Sequence, residues 1–429
     1  MKYNTLALLL PASVVAMALC SGAAGEQPPL WPKEKAWEWY DGVAPIRGAN
    51  YVPSTAVNML EWWQKETFDP VTIDRELKWA NECGYNSVRC NLSFEVWESD
   101  PEGLKTRLDQ FFAIATRHKI AVMLCLFDDV NFAKANPVLG KQPEPVPGIH
   151  NSRWVPSPAP AKVTDRTAWP ALDKYVKDIV GRFREDKRLL VWDLYNEPGN
   201  GGLGEKSLPL VKAAFQWARA VKPVQPLTAG PCGLHNSDMS KALVELSDVV
   251  TFHNYSSVGI VARDVAFYQK YQRPLICTET IRRLKGLDFE ALLPLFAKSK
   301  VSWYNWGLVA GKQQTYLPWG SKGLTIKDHW HWDMLWPDGR PYDPNEIKLI
   351  KNFKFGPSAE AVGEKRAGLA LRKWMIENDP HQRRQSGALV RPADPPVGQF
   401  GHRGLAGAQV RERITGLPGL APRWPMNGD

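Results

Sequence analysis

Between residues 46 and 306, short apolar runs rich in β-branched residues alternate with stretches whose apolar positions recur every three or four residues. The first pattern is that of buried strands and the second that of amphipathic helices. Eight runs read as strands: residues 46–52, 86–92, 120–127, 189–195, 226–230, 249–253, 274–278 and 301–306. Helical patterns fall between them at 72–83, 104–118, 169–184, 208–221, 240–246, 260–271 and 289–298, and a last one at 345–355 closes the series. Eight strands alternating with helices match the arithmetic of a (β/α)8 TIM barrel, an α/β fold. An open, doubly wound parallel sheet is the competing architecture.

Two segments break the alternation. Residues 128–167 are rich in proline and include Trp154, and residues 313–336 form an aromatic loop after the eighth strand. On a barrel both follow strand ends and so lie on the face where loops shape a cleft. The alternative for 128–167 is a surface loop without ligand contact. From about residue 363 the periodicity fades, and residues 365–429 hold nine Gly and seven Pro. Such a composition cannot bury enough apolar surface to offset chain entropy, so disorder is expected there. The expected organisation is a signal peptide over 1–24, a barrel domain over 25–362 and a basic tail over 363–429.

Composition narrows the partners. With 44% hydrophobic and 23% charged residues in 429, the chain is neither wholly disordered nor fibrous. The formal charge of +9 suggests a polyanion partner until it is located. Residues 365–429 contain eleven Lys/Arg and five Asp/Glu, so six of the nine excess charges sit in the tail and no nucleic-acid partner is expected. Nineteen tryptophans point instead to a flat ligand with apolar faces.

Residues 1–24 have the form of a secretory signal: Lys2, an apolar run over 6–19, then small residues up to Ala24. The run is too short for a retained membrane anchor, so no stable membrane insertion is expected after cleavage, and the protein is expected to be secreted or periplasmic. A lipid anchor at Cys20 is disfavoured by Leu19, which stands where a small residue is needed. The remaining cysteines, Cys83, Cys90, Cys125, Cys232 and Cys277, are odd in number and mostly within apolar runs, the pattern of buried free thiols. No oligomeric state follows from these patterns.

Chemistry concentrates at two strand ends. The fourth run, 189–195, stops at Asn196, Glu197 and Pro198. Asn-Glu also occurs at Asn81–Glu82 and Asn345–Glu346, both within helical patterns, so the dipeptide alone means nothing; only Asn196–Glu197 ends a buried strand that proline forbids to continue. The seventh run delivers Glu279 in the same way. Two carboxylates facing each other across a barrel mouth suit glycoside hydrolysis, where one protonates the leaving oxygen and the other acts at the anomeric carbon.

Carrying these motifs, the chain resembles the glycoside hydrolases of clan A, and among them family five, the cellulase-type barrel enzymes, over roughly residues 40–355. The resemblance implies a retaining enzyme with Glu197 as acid/base, Glu279 as nucleophile and Asn196 as donor to the sugar 2-hydroxyl. It also implies that Arg89 on the second strand pairs with the nucleophile, that His253 and Tyr255 after the sixth strand flank it, and that Trp306 floors the subsite of the ring being cleaved. Trp303 fits a core role as well as a site role. Trp154 and Trp319, on long loops, are expected at outlying subsites. The third strand departs from the family: many relatives end it with histidine, where this chain has Asp128 and Asp129.

Other motifs carry less. Gly199, Gly201 and Gly204 satisfy G-x-G-x-x-G, but the acidic residue expected about twenty positions on is missing, so no nucleotide cofactor is expected. His329, His331 and Asp333 resemble metal ligands, yet two loop histidines are more often solvated, and no metal is expected. With no G-x-S-x-G, an esterase lacks support. The expected function is hydrolysis of β-linked glycosidic bonds in a polysaccharide or oligosaccharide of the cellulose, xylan or mannan class. The alternative is a non-catalytic carbohydrate-binding barrel.

Overall fold

The structure, a computed structural model, describes residues 30–231 and 237–356. The signal segment, Cys232 and the basic tail lie outside the described residues. Eight parallel strands, β1 (Arg47–Asn50), β2 (Ser87–Asn91), β3 (Ala121–Asp128), β4 (Leu189–Asn196), β5 (Leu227–Gly230), β6 (Val250–His253), β7 (Leu275–Thr280) and β8 (Val301–Asn305), form one sheet with helices between them. Its order is β5-β4-β3-β2-β1-β8-β7-β6, a (β/α)8 TIM barrel. The eight sequence-derived strands each fall on one of these. Strands covered by helices outside and side chains inside are buried on both faces, so they read as continuous apolar runs.

One seam differs from the rest. Among the described residues no ladder joins β5 to β6. Asp248 donates its amide to Leu227 O at 2.8 Å, its carboxylate accepts the Leu227 amide at 2.9 Å, and the hydroxyls of Thr228 and Thr251 bond at 2.9 Å. Inside the barrel Gly48 is required by close approach, since a Cβ there would lie 2.1 Å from the Tyr304 ring.

Helix starts follow local chemistry. Asp69, Asp100 and Asp343 each cap a helix whose first residue is proline, accepting backbone N–H groups at 3.0, 3.0 and 2.8 Å. The helices Pro70–Glu82, Pro101–Arg117 and Pro344–Asn352 therefore begin one to three residues before the helical patterns read from the sequence at 72, 104 and 345.

Sequence periodicity also passes over the helix Lys33–Val43, which closes the floor of the barrel. Only Ala36 and Tyr40 of its residues are buried, so its apolar stripe is faint. Tyr40 places its hydroxyl against Leu275 O, Lys300 O and Ser302 Oγ at 3.1, 2.8 and 2.9 Å. With Trp31, Ile46, Met123, Val191, Val249, Ile276 and Tyr304 it forms a core at the bottom, so the carboxyl ends of the strands are the open face.

Candidate active site

Arg89, on β2, is the hub. Its guanidinium is fully buried and donates to Asp193 Oδ2 at 2.8 Å, Asn50 Oδ1 at 2.8 Å, Glu279 Oε1 at 3.1 Å and Asn196 Oδ1 at 2.6 Å. Burial alone would lower its pKa, but the surrounding acidic groups, Asp193 first and Glu279 with it, together outweigh that and raise it. Asp193 lies in the middle of the apolar β4 run, and Asn50 is pinned to Thr278 O and Asn305 O at 2.8 and 3.1 Å. Sequence reasoning singled out neither residue.

Asn196 is fixed from both sides, because its Nδ2 donates to Asp128 Oδ1 at 2.9 Å while its carbonyl oxygen takes the arginine. That pattern sets which end of the amide is which and leaves one N–H free for a ligand. Asp128 replaces the histidine of the resemblance and accepts from Asn91 Nδ2 and the Val130 amide as well. It also accepts from Trp154 Nε1 at 2.9 Å. Burial pushes it up to about 7 despite these donors. Asp129 turns away and holds the next loop, accepting from Tyr195 OH at 2.7 Å, the Gly199 amide at 2.6 Å and Ser207 Oγ at 2.5 Å.

The two carboxylates meet across His253. Its Nδ1 lies 2.8 Å from Glu197 Oε1 and 3.5 Å from Glu279 Oε2. Sequence reasoning set this histidine beside Glu279; it sits closer to Glu197. Gly230 leaves it room, since a Cβ there would come 2.9 Å from Nε2. Tyr255 donates to Glu279 Oε2 at 2.8 Å, and Asn200 Nδ2 donates to Glu197 Oε2 at 2.7 Å. Glu197 has φ of +43°, the left-handed region that side chains disfavour, while its amide still donates to Gly230 O at 3.2 Å. The strand thus ends in a turn that swings the carboxyl inward.

Burial would raise the Glu197 carboxyl, but the hydrogen bond and charge of His253 more than offset it and hold its pKa down. Burial raises Glu279, which also feels the Glu197 charge. His253 is raised, because the two carboxylates outweigh its own burial. His253 thus links the two carboxylates electrostatically.

The aromatic residues fall otherwise than expected. Trp154 is 2% exposed and packs edge-on against Trp306 with centroids 6.4 Å apart. It lies beside the centre rather than at an outlying position, drawn in by its bond to Asp128. Trp319 likewise meets Tyr255 at 5.0 Å, one side chain away from Glu279. Trp306 is half-buried and faces a small cavity with Asn50, Arg89, Asn91 and Trp154. Trp303 is wholly buried among Tyr85, Phe289 and Phe353 and belongs to the core.

The other motifs are structural. Gly199, Gly201, Gly202 and Gly204 all have positive φ and wrap the loop around Asp129. His331 was expected in solvent but is 2% exposed beneath the eighth-strand loop, and burial lowers its pKa to about 3. Asp333 is buried and accepts the Thr315 hydroxyl at 2.7 Å. Cys83, Cys90, Cys125 and Cys277 are free and buried, as expected. The ligand atoms of Glu197, His253 and Glu279 lie within 4.8 Å of one another, a spacing a cation could use. Arg89 lies 3.1 Å from Glu279 on the other side of that carboxylate's contacts with His253 and Tyr255.

No protein-family model matches the sequence, and comparison with curated proteins finds no match. Solved structures do match. GH5_18 from Streptomyces cattleya, in complex with GlcNAc, is 13% identical and superposes with a TM-score of 0.51 over 72% of this chain and 79% of that one. An exo-β-1,4-mannosidase from Opitutaceae bacterium strain TAV5 is 16% identical, also with a TM-score of 0.51, over 72% of this chain and 59% of that one. At such identities the likeness establishes a shared barrel fold. Among the described residues no helix is long and apolar enough to cross a membrane.

Proposed function

We propose that the protein is a retaining glycoside hydrolase of the clan A, family-five type, acting on β-linked glycans by double displacement. The observation that carries this reading is the pair Glu197 and Glu279, at the ends of β4 and β7, with oxygens within 4.8 Å of each other. That spacing suits direct attack by one carboxylate and leaves no place for the intervening water that inversion needs. Glu279 is the nucleophile, since Arg89 and the Tyr255 hydroxyl aim its oxygens. Glu197 is the acid/base, with His253 sharing its proton. When Glu279 bonds to the sugar it loses the charge that held the proton on His253, and the proton passes to Glu197 and on to the leaving oxygen. Water, deprotonated by Glu197, then releases the sugar. The free N–H of Asn196 meets the 2-hydroxyl, and Trp306 takes the apolar face of the ring.

The substrate falls in the cellulose, xylan or mannan class. The mannosidase among the fold neighbours puts β-1,4-mannosides first in a panel. Export follows from the signal-like residues 1–24, and the basic tail after residue 363 is dispensable for hydrolysis. A non-catalytic sugar-binding barrel is disfavoured, because both carboxylates and their supporting partners are present. Proton NMR of the first product from a β-glycoside, with the Glu279→Ala protein as control, tests the reading. The β-anomer should appear first; initial α-anomer would overturn the mechanism, and no turnover on any β-glycoside would overturn the activity.

A further inference from the structure

Four connections at the barrel mouth interlock. The segment after β3, 129–159, meets the one after β8, 306–343, through a band of hydrogen bonds. Gly148 and Asn151 donate their amides to Gln314 Oε1 and Gln313 O at 2.8 and 2.7 Å, Gln314 Nε2 returns to Val146 O at 2.7 Å, and the His150 amide reaches Ser321 Oγ at 3.1 Å. His150, Asn151, Gln314 and Leu317 are nearly fully buried, so this is packed structure. The segment after β1 joins it, with Asn58 Nδ2 donating to Gln142 Oε1 at 2.9 Å and the Lys312 amide to Ser54 O at 2.9 Å. After β7, Arg282 lies over the Trp319 ring. The rim is continuous from β3 through β1 and β8 to β7.

Among the described residues no such wall stands over β4. The chain returns from β4 through a glycine-rich turn, 197–203, and from β6 through 254–257. The orientation of a substrate then follows, resting on the glycosidase reading above. Glu197 protonates the leaving oxygen, so the departing chain lies on its side, over β4. The ring under attack sits over Glu279 and Trp306 with its far end toward β1, β2 and β8. There Asn50, Arg89, Asn91, Trp154, Trp306 and Gln313 line a small cavity beneath the interlocked segments. Gln313 Nε2 is buried without a partner in that wall, and so are both amide atoms of Asn151 beside it. Unpaired buried donors at the blind end of a pocket are available to a terminal hydroxyl.

We infer that the enzyme is exo-acting: it removes single sugars from the non-reducing end of a glycan, with the interlocked 129–159 and 306–343 segments blocking any longer glycone and Gln313 addressing the terminal hydroxyls. Each turnover breaks the terminal glycosidic C–O bond, gives the leaving oxygen the proton of Glu197, and adds the elements of one water across the released monosaccharide and the shortened chain.

The test uses β-1,4-linked gluco-, manno- and xylo-hexaoses carrying a fluorescent label at the reducing end. Exo action yields labelled products that shorten one residue at a time, with monosaccharide as the unlabelled product from the first time point. Short labelled fragments appearing at once would overturn it. A second arm does not need turnover: the Glu279→Gln protein is titrated with the same hexaoses, plain or methylated at the terminal 4-hydroxyl, and read by tryptophan fluorescence. A blind pocket predicts roughly tenfold or greater loss of affinity on methylation; equal affinity overturns the inference while leaving the glycosidase reading intact. Neither cleavage nor binding across the panel overturns both.

Discussion

On the β1, β2 and β8 side of the mouth, Arg89 makes four side-chain contacts beneath a roof of two long, mutually bonded segments. On the β4 side, Glu197 rests on one histidine, one asparagine and a strained backbone angle at the edge of a glycine turn. On the proposed glycosidase reading, the nucleophile and the sugar it attacks always have the same shape, so their half of the site can be set in advance at no cost in generality. The acid must serve whatever leaving group arrives and must gain and lose a proton each turnover. Its half is correspondingly lightly built.

The sharpest way to break this contrast is to remove each carboxylate. Glu279→Ala should reduce kcat by about 10⁵-fold on every substrate, the scale on which loss of a nucleophile acts. Glu197→Ala should cost about 10²–10⁴-fold with poor leaving groups, far less with activated aryl glycosides, and azide should restore turnover as a β-glycosyl azide. Equal losses on both substrate classes without rescue would mean the roles are exchanged.

A smaller effect separates the halves by stability. Arg89→Met strands the buried Asp193 carboxylate and should cost about 3–5 kcal/mol in urea unfolding. Asn200→Ala, at the glycine turn, should cost about 0.5–1.5 kcal/mol. Similar costs would show that the two sides are equally built.

The smallest expected effect is on the pH dependence of unfolding. Burial raises Asp128, Asp333 and Glu76 to about 7 and Asp129 to about 6. A carboxyl with a higher pKa folded than unfolded binds more protons in the folded state between those values, so stability falls as pH rises from about 4 to about 7. Tm measured at pH 5 should exceed Tm at pH 8. Asp128→Asn, beneath the roof, should flatten the slope more than Asp129→Asn; the reverse order would locate the greater burial on the open side.

The strands and the two carboxylates were legible because each is a local signal: a continuous apolar run, then a residue type that ends it. Pro198 made one end visible, and the resemblance of residues 87–91 to a family motif made Arg89 visible. What stayed hidden depends on partners far along the chain. Asp193 looks like an interruption in an apolar strand until Arg89, 104 residues away, is found beside it. Trp154 looks like an exposed loop residue until its segment folds back over Asp128. His331 looks solvated for the same reason, since loop burial has no periodicity. The helix Lys33–Val43 escaped because two buried side chains do not make a stripe.

The seam between β5 and β6 carries a further consequence. Elsewhere the barrel is held by main-chain ladders, which almost any side chain permits. At the seam one main-chain bond, from the Asp248 amide to Leu227 O, is joined by side-chain bonds of Asp248, Thr228 and Thr251, so closure there depends in part on residue identity. An unpaired strand edge is a template for pairing with another chain. Three side chains thus help to keep two facing edges turned toward each other and away from any neighbour.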